Sequence, residues 1–187
     1  MKLPNVITLS RLVLSPAFLL AFLDGPETGL RWALGLAVFF EVTDMVDGAL
    51  ARRFEQTSQL GKILDPLADS ISRFTVFLAF LVGGYASVWA VAPIFWRDSI
   101  VSTIRVLAAS QGVIVSARFW GKVKAIVQGA AIIAILCAAC FRETLGWSLD
   151  DVRQLSNALM VYVAAVTAWS LVDYLWGNRK VLRALDA

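Results

Sequence analysis

Long apolar runs alternate with short polar stretches along the whole chain. Crossing a bilayer as a helix takes about 20 mostly apolar residues, and six segments approach that length. They cover residues 6–23, 31–51, 63–83, 87–109, 122–141 and 155–176. The stretches between them, such as DGPETG and GGYAS, are typical of turns. The pattern predicts an all-α integral membrane protein with six transmembrane helices, forming a single domain over residues 1–187.

Composition supports this prediction, and charge gives an orientation. Hydrophobic residues make up 59% of the chain and charged residues 17%, against about a quarter charged in soluble domains. Basic residues concentrate on the cytosolic side of membrane proteins. With a cytosolic N-terminus, that side receives Lys2, Arg11, Arg52, Arg53, Lys62, Arg118, Lys122, Lys124, Arg179, Lys180 and Arg183. The other side receives chiefly Arg31, Arg142 and Arg153. We therefore predict a multi-pass protein of the cell (cytoplasmic) membrane with both termini in the cytoplasm.

The chain contains no histidine, which removes the commonest general base and the commonest transition-metal ligand. Acid–base chemistry must therefore use carboxylates, Lys, Tyr or Cys. Cys137 and Cys140 form a C-x-x-C within the apolar run AIIAILCAACF, with no second pair. We interpret them as small residues compatible with lipid and not as a redox or zinc site.

Four aspartates interrupt the apolar pattern between residues 41 and 70. Asp44 and Asp47 are three apart, and Asp65 and Asp69 are four apart, so each pair shares one helix face. If the second and third helices are adjacent and antiparallel, all four carboxylates converge near the cytosolic edge. Any one of them could be a solvated charge at a helix end. As a set they would repel one another, and a carboxylate at membrane depth costs about 3 kcal/mol. One or two divalent cations resolve both problems, and all-oxygen ligands favour Mg²⁺ or Mn²⁺.

The residues between the two pairs suit a phosphate-bearing ligand. Gly48 and Ala51 remove side-chain bulk on the face that carries Asp44, and Gly61 opens the third helix. Arg52 supplies a forked donor that matches phosphate. The alternative for the small residues is close packing between helices in the membrane.

The spacing D-x-x-D-G-x-x-A-R-x₈-G-x-x-x-D-x-x-x-D resembles the signature of the CDP-alcohol phosphotransferases, which are integral membrane enzymes. Every fixed position of the signature is matched, by Asp44, Asp47, Gly48, Ala51, Arg52, Gly61, Asp65 and Asp69. The stretches LPNVITLSRLVLSP, WRDSIVSTIR and GKVKAIVQ are similar to the phosphatidylglycerophosphate synthases within that family. Ser70 and Ala125 depart from the glycerol-phosphate enzymes, which usually have lysine and threonine there.

The resemblance implies a six-helix homodimer that transfers a phosphatidyl group from CDP-diacylglycerol to glycerol 3-phosphate and releases CMP. The expected partners are these substrates and membrane lipids, and not nucleic acid. Asp44, Asp47, Asp65 and Asp69 would bind two Mg²⁺ or Mn²⁺ ions, and Asp69 would also be the catalytic base. The donor CDP-lipid would be held by Gly48, Ala51, Arg52 and Gly61, with Asn5, Thr8 and Arg11 as further contacts.

Basic residues near the same edge predict an acceptor that carries a phosphate, bound by Arg105, Arg118, Lys122 and Lys124. The alternative for the last three is topology and binding of anionic lipid. Arg105 lies within an apolar run and needs a partner, either Asp98 or the acceptor phosphate. Arg97 and Asp98 are adjacent in sequence and are expected on different faces.

Two other functions stay open. The acceptor could be inositol phosphate, serine or a related alcohol, or the chain could be a divalent-cation transporter. A transporter would be expected to show repeats and binding residues near the bilayer midplane.

Overall fold

The computed structural model describes the backbone of residues 3–25, 28–54, 59–111, 118–179 and 182, and the side chains of 9–25, 28–46, 67–111, 118–179 and 182. Within these residues all the regular structure is helical. The helices are α1 (Leu3–Leu23), α2 (Thr28–Phe54), α3 (Gln59–Val82), α4 (Val88–Ser110), α5 (Phe119–Cys140) and α6 (Leu149–Gly177). The prediction of six helices, one for each apolar segment, is confirmed.

The largest difference from the predicted boundaries is at the start of α6, which begins at Leu149 and not near residue 155. The Ser148 hydroxyl accepts a hydrogen bond from the Asp151 amide at 3.2 Å, and the Asp151 carboxylate accepts one from the Ser148 amide at 2.9 Å. This reciprocal capping box satisfies amides that a helix start leaves unpaired. The helix therefore extends beyond the apolar segment, into polar sequence that hydropathy does not assign to it.

Two helices of the described chain, α5 and α6, are long and apolar enough to cross a membrane. The Leu9–Leu23 part of α1 is apolar over a shorter length.

The helix α1 lies between α2 and α3 and packs extensively against both, while the described parts of α2 and α3 have little direct contact with each other. For Asp44 and Asp69, whose side chains are described, direct packing of α2 against α3 is therefore not what brings the carboxylates together. Aromatic contacts stabilise this arrangement: the ring centroids of Phe18 and Phe40 are 6.2 Å apart, and those of Phe22 and Phe80 are 6.1 Å apart. On the other side of the bundle, α5 packs against α2 and α6, and α4 packs against α6.

Candidate active site

Two buried arginines bring together the aspartates of α2 and α3. Arg11 of α1 places Nη1 3.1 Å from Asp44 Oδ1 and 4.0 Å from Asp69 Oδ1. Arg73 of α3 donates from Nε to Asp69 Oδ1 at 3.0 Å and places Nη2 3.5 Å from Asp44 Oδ2. The predicted convergence of Asp44 and Asp69 is thus confirmed, and the helix between them supplies one of the bridging cations.

The Arg73 guanidinium joins three helices of the site. Besides its contacts with Asp44 and Asp69, Nη2 donates to Glu41 Oε2 at 3.3 Å and Nη1 donates to the Ala125 carbonyl oxygen at 3.1 Å. Arg73 is 8% exposed, so these contacts replace its hydration. The bond to α5 uses the backbone of Ala125 and does not depend on the side chain at that position.

Glu41 and Arg73 were not among the predicted site residues. Glu41 lies three residues before Asp44, and Arg73 lies four residues after Asp69. Side chains at these spacings are neighbours on a helix surface. The helical period that predicted the aspartate pairs, extended by one turn on each helix, would have found both residues.

The arginines of the site are buried, whereas the aspartates are partly exposed. Arg11 and Arg73 are 2% and 8% exposed, whereas Asp44 and Asp69 are 40% and 41% exposed. A cavity of about 10 Å³ lies between Arg11, Glu41, Asp69 and Arg73, which is room for roughly one water molecule. A ligand must therefore reach the carboxylates from their exposed side.

Several predicted residues have side chains outside the described residues, although their backbones lie in α1, α2 or α3. They are Asn5, Thr8, Asp47, Gly48, Ala51, Arg52, Gly61 and Asp65. Within the described side chains, no three acidic or cysteine residues are placed to bind a metal. Asp44 and Asp69 fit Mg²⁺ or Mn²⁺ in chemistry, because they offer accessible carboxylate oxygens from two different helices. The four-aspartate metal site stays a prediction.

A second charged cluster lies between α4, α5 and α6. Lys124 Nζ contacts both carboxylate oxygens of Asp98, at 2.7 and 2.8 Å, and Arg97 Nη1 donates to Asp98 Oδ1 at 2.9 Å. Arg97 also donates from Nε to the Ser170 hydroxyl at 3.0 Å. The expectation that Arg97 and Asp98 diverge is wrong, because the long arginine side chain returns to its neighbour. Two buried cations share one carboxylate here.

The other predicted acceptor residues lie in separate environments. The Arg105 guanidinium lies 5.9 Å from the ring centroid of Tyr174, and Asp98, its proposed partner, is bonded by Lys124 and Arg97. Arg118 donates to both carboxylate oxygens of Asp173, at 3.0 and 2.6 Å, while Lys122 is exposed. Only Lys124 of the four belongs to the buried cluster.

Comparison with known proteins identifies the family of the chain. Residues 1–170 match the family model for CDP-alcohol phosphatidyltransferases. The chain is 34% identical to the CDP-diacylglycerol–glycerol-3-phosphate 3-phosphatidyltransferase of Yersinia pestis (strain Pestoides F), over 94% of this chain and 93% of the relative. Proteins of the same name from Sodalis glossinidius and Pectobacterium atrosepticum are 34% and 36% identical, covering 96% and 93% of both chains. The chain belongs to the CDP-alcohol phosphatidyltransferase family.

Proposed function

We propose that the protein transfers a phosphatidyl group from CDP-diacylglycerol to a hydroxyl of glycerol 3-phosphate and releases CMP. The observation that carries this function is the meeting of Asp44 and Asp69 around Arg11 and Arg73. It occurs in a chain whose relatives, matched over more than nine-tenths of both lengths, are named for that reaction. Asp44 and Asp69 are also the first and last aspartates of the family's signature.

The proposed base is Asp69. In the reaction the acceptor hydroxyl oxygen attacks the phosphatidyl phosphorus, the bond from phosphorus to the CMP oxygen breaks, and the hydroxyl proton passes to a carboxylate oxygen of Asp69. Asp69 is accessible on one side and is held on the other by the Arg73 Nε bond. Arg73 is thus a positioning residue: it fixes the carboxylate while its own guanidinium stays buried.

The metal would be held by Asp44 and Asp69 together with Asp47 and Asp65. When bound, Mg²⁺ or Mn²⁺ neutralises the pyrophosphate of the donor and stabilises the CMP leaving group. The protein itself holds Asp44 and Asp69 against buried arginines on one side and leaves their other side accessible to the metal.

An acceptor with its own phosphate suits the cluster around Lys124. Lys124 and Arg97 share the single carboxylate of Asp98, so the buried group carries surplus positive charge. Arg73 contacts both Asp69 and the carbonyl oxygen of Ala125, the residue after Lys124, and this supports an acceptor site close to the proposed base. Arg105 and Lys122 would add positive charge toward the cytosolic end, whereas the charge of Arg118 is paired with Asp173.

Six transmembrane helices in the cytoplasmic membrane, with the site open to the cytoplasm, complete the proposal. Large apolar side chains point outward around the bundle: Val13, Met45, Trp89 and Ile126 are 73%, 75%, 85% and 72% exposed. A soluble monomer rarely exposes so much apolar surface, and lipid accounts for it. The homodimer implied by the family resemblance stays a prediction.

The acceptor is tested with purified protein, CDP-diacylglycerol, Mn²⁺ and a panel of alcohols. Glycerol 3-phosphate is expected to give CMP release well above that with inositol phosphate, serine or water. CMP is measured by chromatography, and the lipid product by mass spectrometry. Release with serine or inositol phosphate, and none with glycerol 3-phosphate, would overturn the acceptor assignment while leaving the phosphatidyltransferase reaction intact.

Removal of divalent cations should abolish the reaction. With a chelator in excess, CMP release is expected to fall to background, and added Mg²⁺ or Mn²⁺ should restore it because the carboxylates favour hard cations. Zn²⁺ should restore it poorly, since the chain offers no histidine. Undiminished CMP release at saturating chelator would contradict the metal site.

A further inference from the structure

A second cavity, of about 340 Å³, lies at the end of the bundle away from the aspartates. It is bounded by the ends of α1 and α2, the turn between α3 and α4, and the connection from α5 to α6; we call it the distal cavity. Its apolar walls include Phe22, Leu30, Val82 and Leu149. Twelve residues of α1 separate Arg11 from the lining residue Leu23, a distance of about 18 Å along the helix.

Two arginines, Arg142 and Arg153, line the same cavity. Arg142 lies 3.5 Å from Glu143, which is 77% exposed, and Arg153 lies 4.0 Å from Asp150, which is 86% exposed. Exposed ion pairs of this kind contribute little, so both guanidinium groups can bind another anion.

The Arg153 side chain is also held in place. Its Nε atom is buried and has no hydrogen-bond partner in the described part of the chain. A Cβ atom added to Gly84 would lie 3.3 Å from Nε, and Gly84 has a positive φ of 74°. The guanidinium therefore lies against the backbone of this turn, which fixes its position at the edge of the cavity.

We propose that the distal cavity binds a phospholipid, with its phosphate on Arg142 and Arg153 and the start of its acyl chains against the apolar walls. Guanidinium groups match phosphate oxygens in geometry and charge, and the volume suits a headgroup-sized ligand. Glu143 and Asp150 lie beside the arginines, exposed to solvent, where an ammonium group would meet them. The site therefore favours an amine-bearing headgroup, such as phosphatidylethanolamine, over phosphatidylglycerol. This inference rests on the membrane placement proposed above.

The test is a titration of the full-length protein in detergent with phosphatidylethanolamine, in which native mass spectrometry measures the bound lipid. The double variant Arg142→Gln/Arg153→Gln should lose bound lipid by about tenfold or more, as expected when charge-assisted contacts are removed. Arg31→Gln is the matched control, because Arg31 is exposed and does not line the cavity. Both variants should keep CMP release, since the distal cavity is remote from Asp69.

Three results would overturn the proposal. Equal lipid occupancy in the double variant and the Arg31→Gln control would exclude the arginines as ligands. Displacement of the lipid by millimolar inorganic phosphate would indicate a site for a free anion. Equal affinity for phosphatidylglycerol would remove the headgroup preference. Recovery of the protein from the soluble fraction would instead contradict the membrane placement, so the two failures are distinguishable.

Discussion

Replacing Asp69 with asparagine should abolish CMP release while leaving metal-dependent binding of CDP-diacylglycerol largely intact. The amide keeps the size of the carboxylate but cannot accept the proton of the attacking hydroxyl. General-base catalysis contributes about 10²–10⁴-fold, and the chain has no histidine that could accept the proton in its place. The rate is measured as CMP formed per enzyme, and donor binding as retention of labelled CDP-lipid with and without metal.

The control for this variant is Asp150→Asn, a carboxylate 86% exposed at the distal end, which should retain wild-type turnover. Loss of donor binding together with turnover would assign Asp69 to metal binding rather than to proton transfer. Residual turnover above about a tenth of the wild-type rate would contradict its role as the base, because it falls well short of the usual catalytic contribution.

The helices could be predicted from the sequence because lipid-compatible segments are long and their interruptions are polar. The start of α6 could not, since Asp150 and Asp151 belong to the helix through the Ser148 capping box and not through hydropathy. The spatial order of the helices could not be predicted from the sequence either. Nothing in the α2 and α3 patterns indicates that α1 lies between them.

The site was predictable as far as helical spacing reaches. Asp44 and Asp69 lie close together as expected, but it is ion pairs with Arg11 and Arg73 that hold them there. Arg11 was expected to contact the donor, and Arg73 follows the last motif aspartate by one turn. The contact between Arg97 and Asp98 was not predicted, because a long flexible side chain is not confined to the helix face from which it projects.

Loss of the Arg73 charge should cost more stability than any other single substitution in the described site. In the Arg73→Gln variant Glu41, Asp44 and Asp69 keep their charges but lose the guanidinium that they share. Breaking a buried ion pair by removing one partner costs about 3–5 kcal/mol. The lower end is expected, because Asp44 and Asp69 are about two-fifths exposed. The measurement is the free energy of unfolding in detergent, with Arg31→Gln as an exposed control.

Two further variants separate charge from geometry. Arg73→Lys keeps the positive charge but cannot bond Asp69, Glu41 and the Ala125 carbonyl together; it should recover much of the stability and little of the CMP release. The double variant Glu41→Gln/Arg73→Gln should lose less stability than the sum of the two single variants, because the residues are in direct contact. Wild-type CMP release in Arg73→Lys would show that Asp69 needs only a nearby charge. Strict additivity in the cycle would show that the contact between Glu41 and Arg73 contributes no coupling energy.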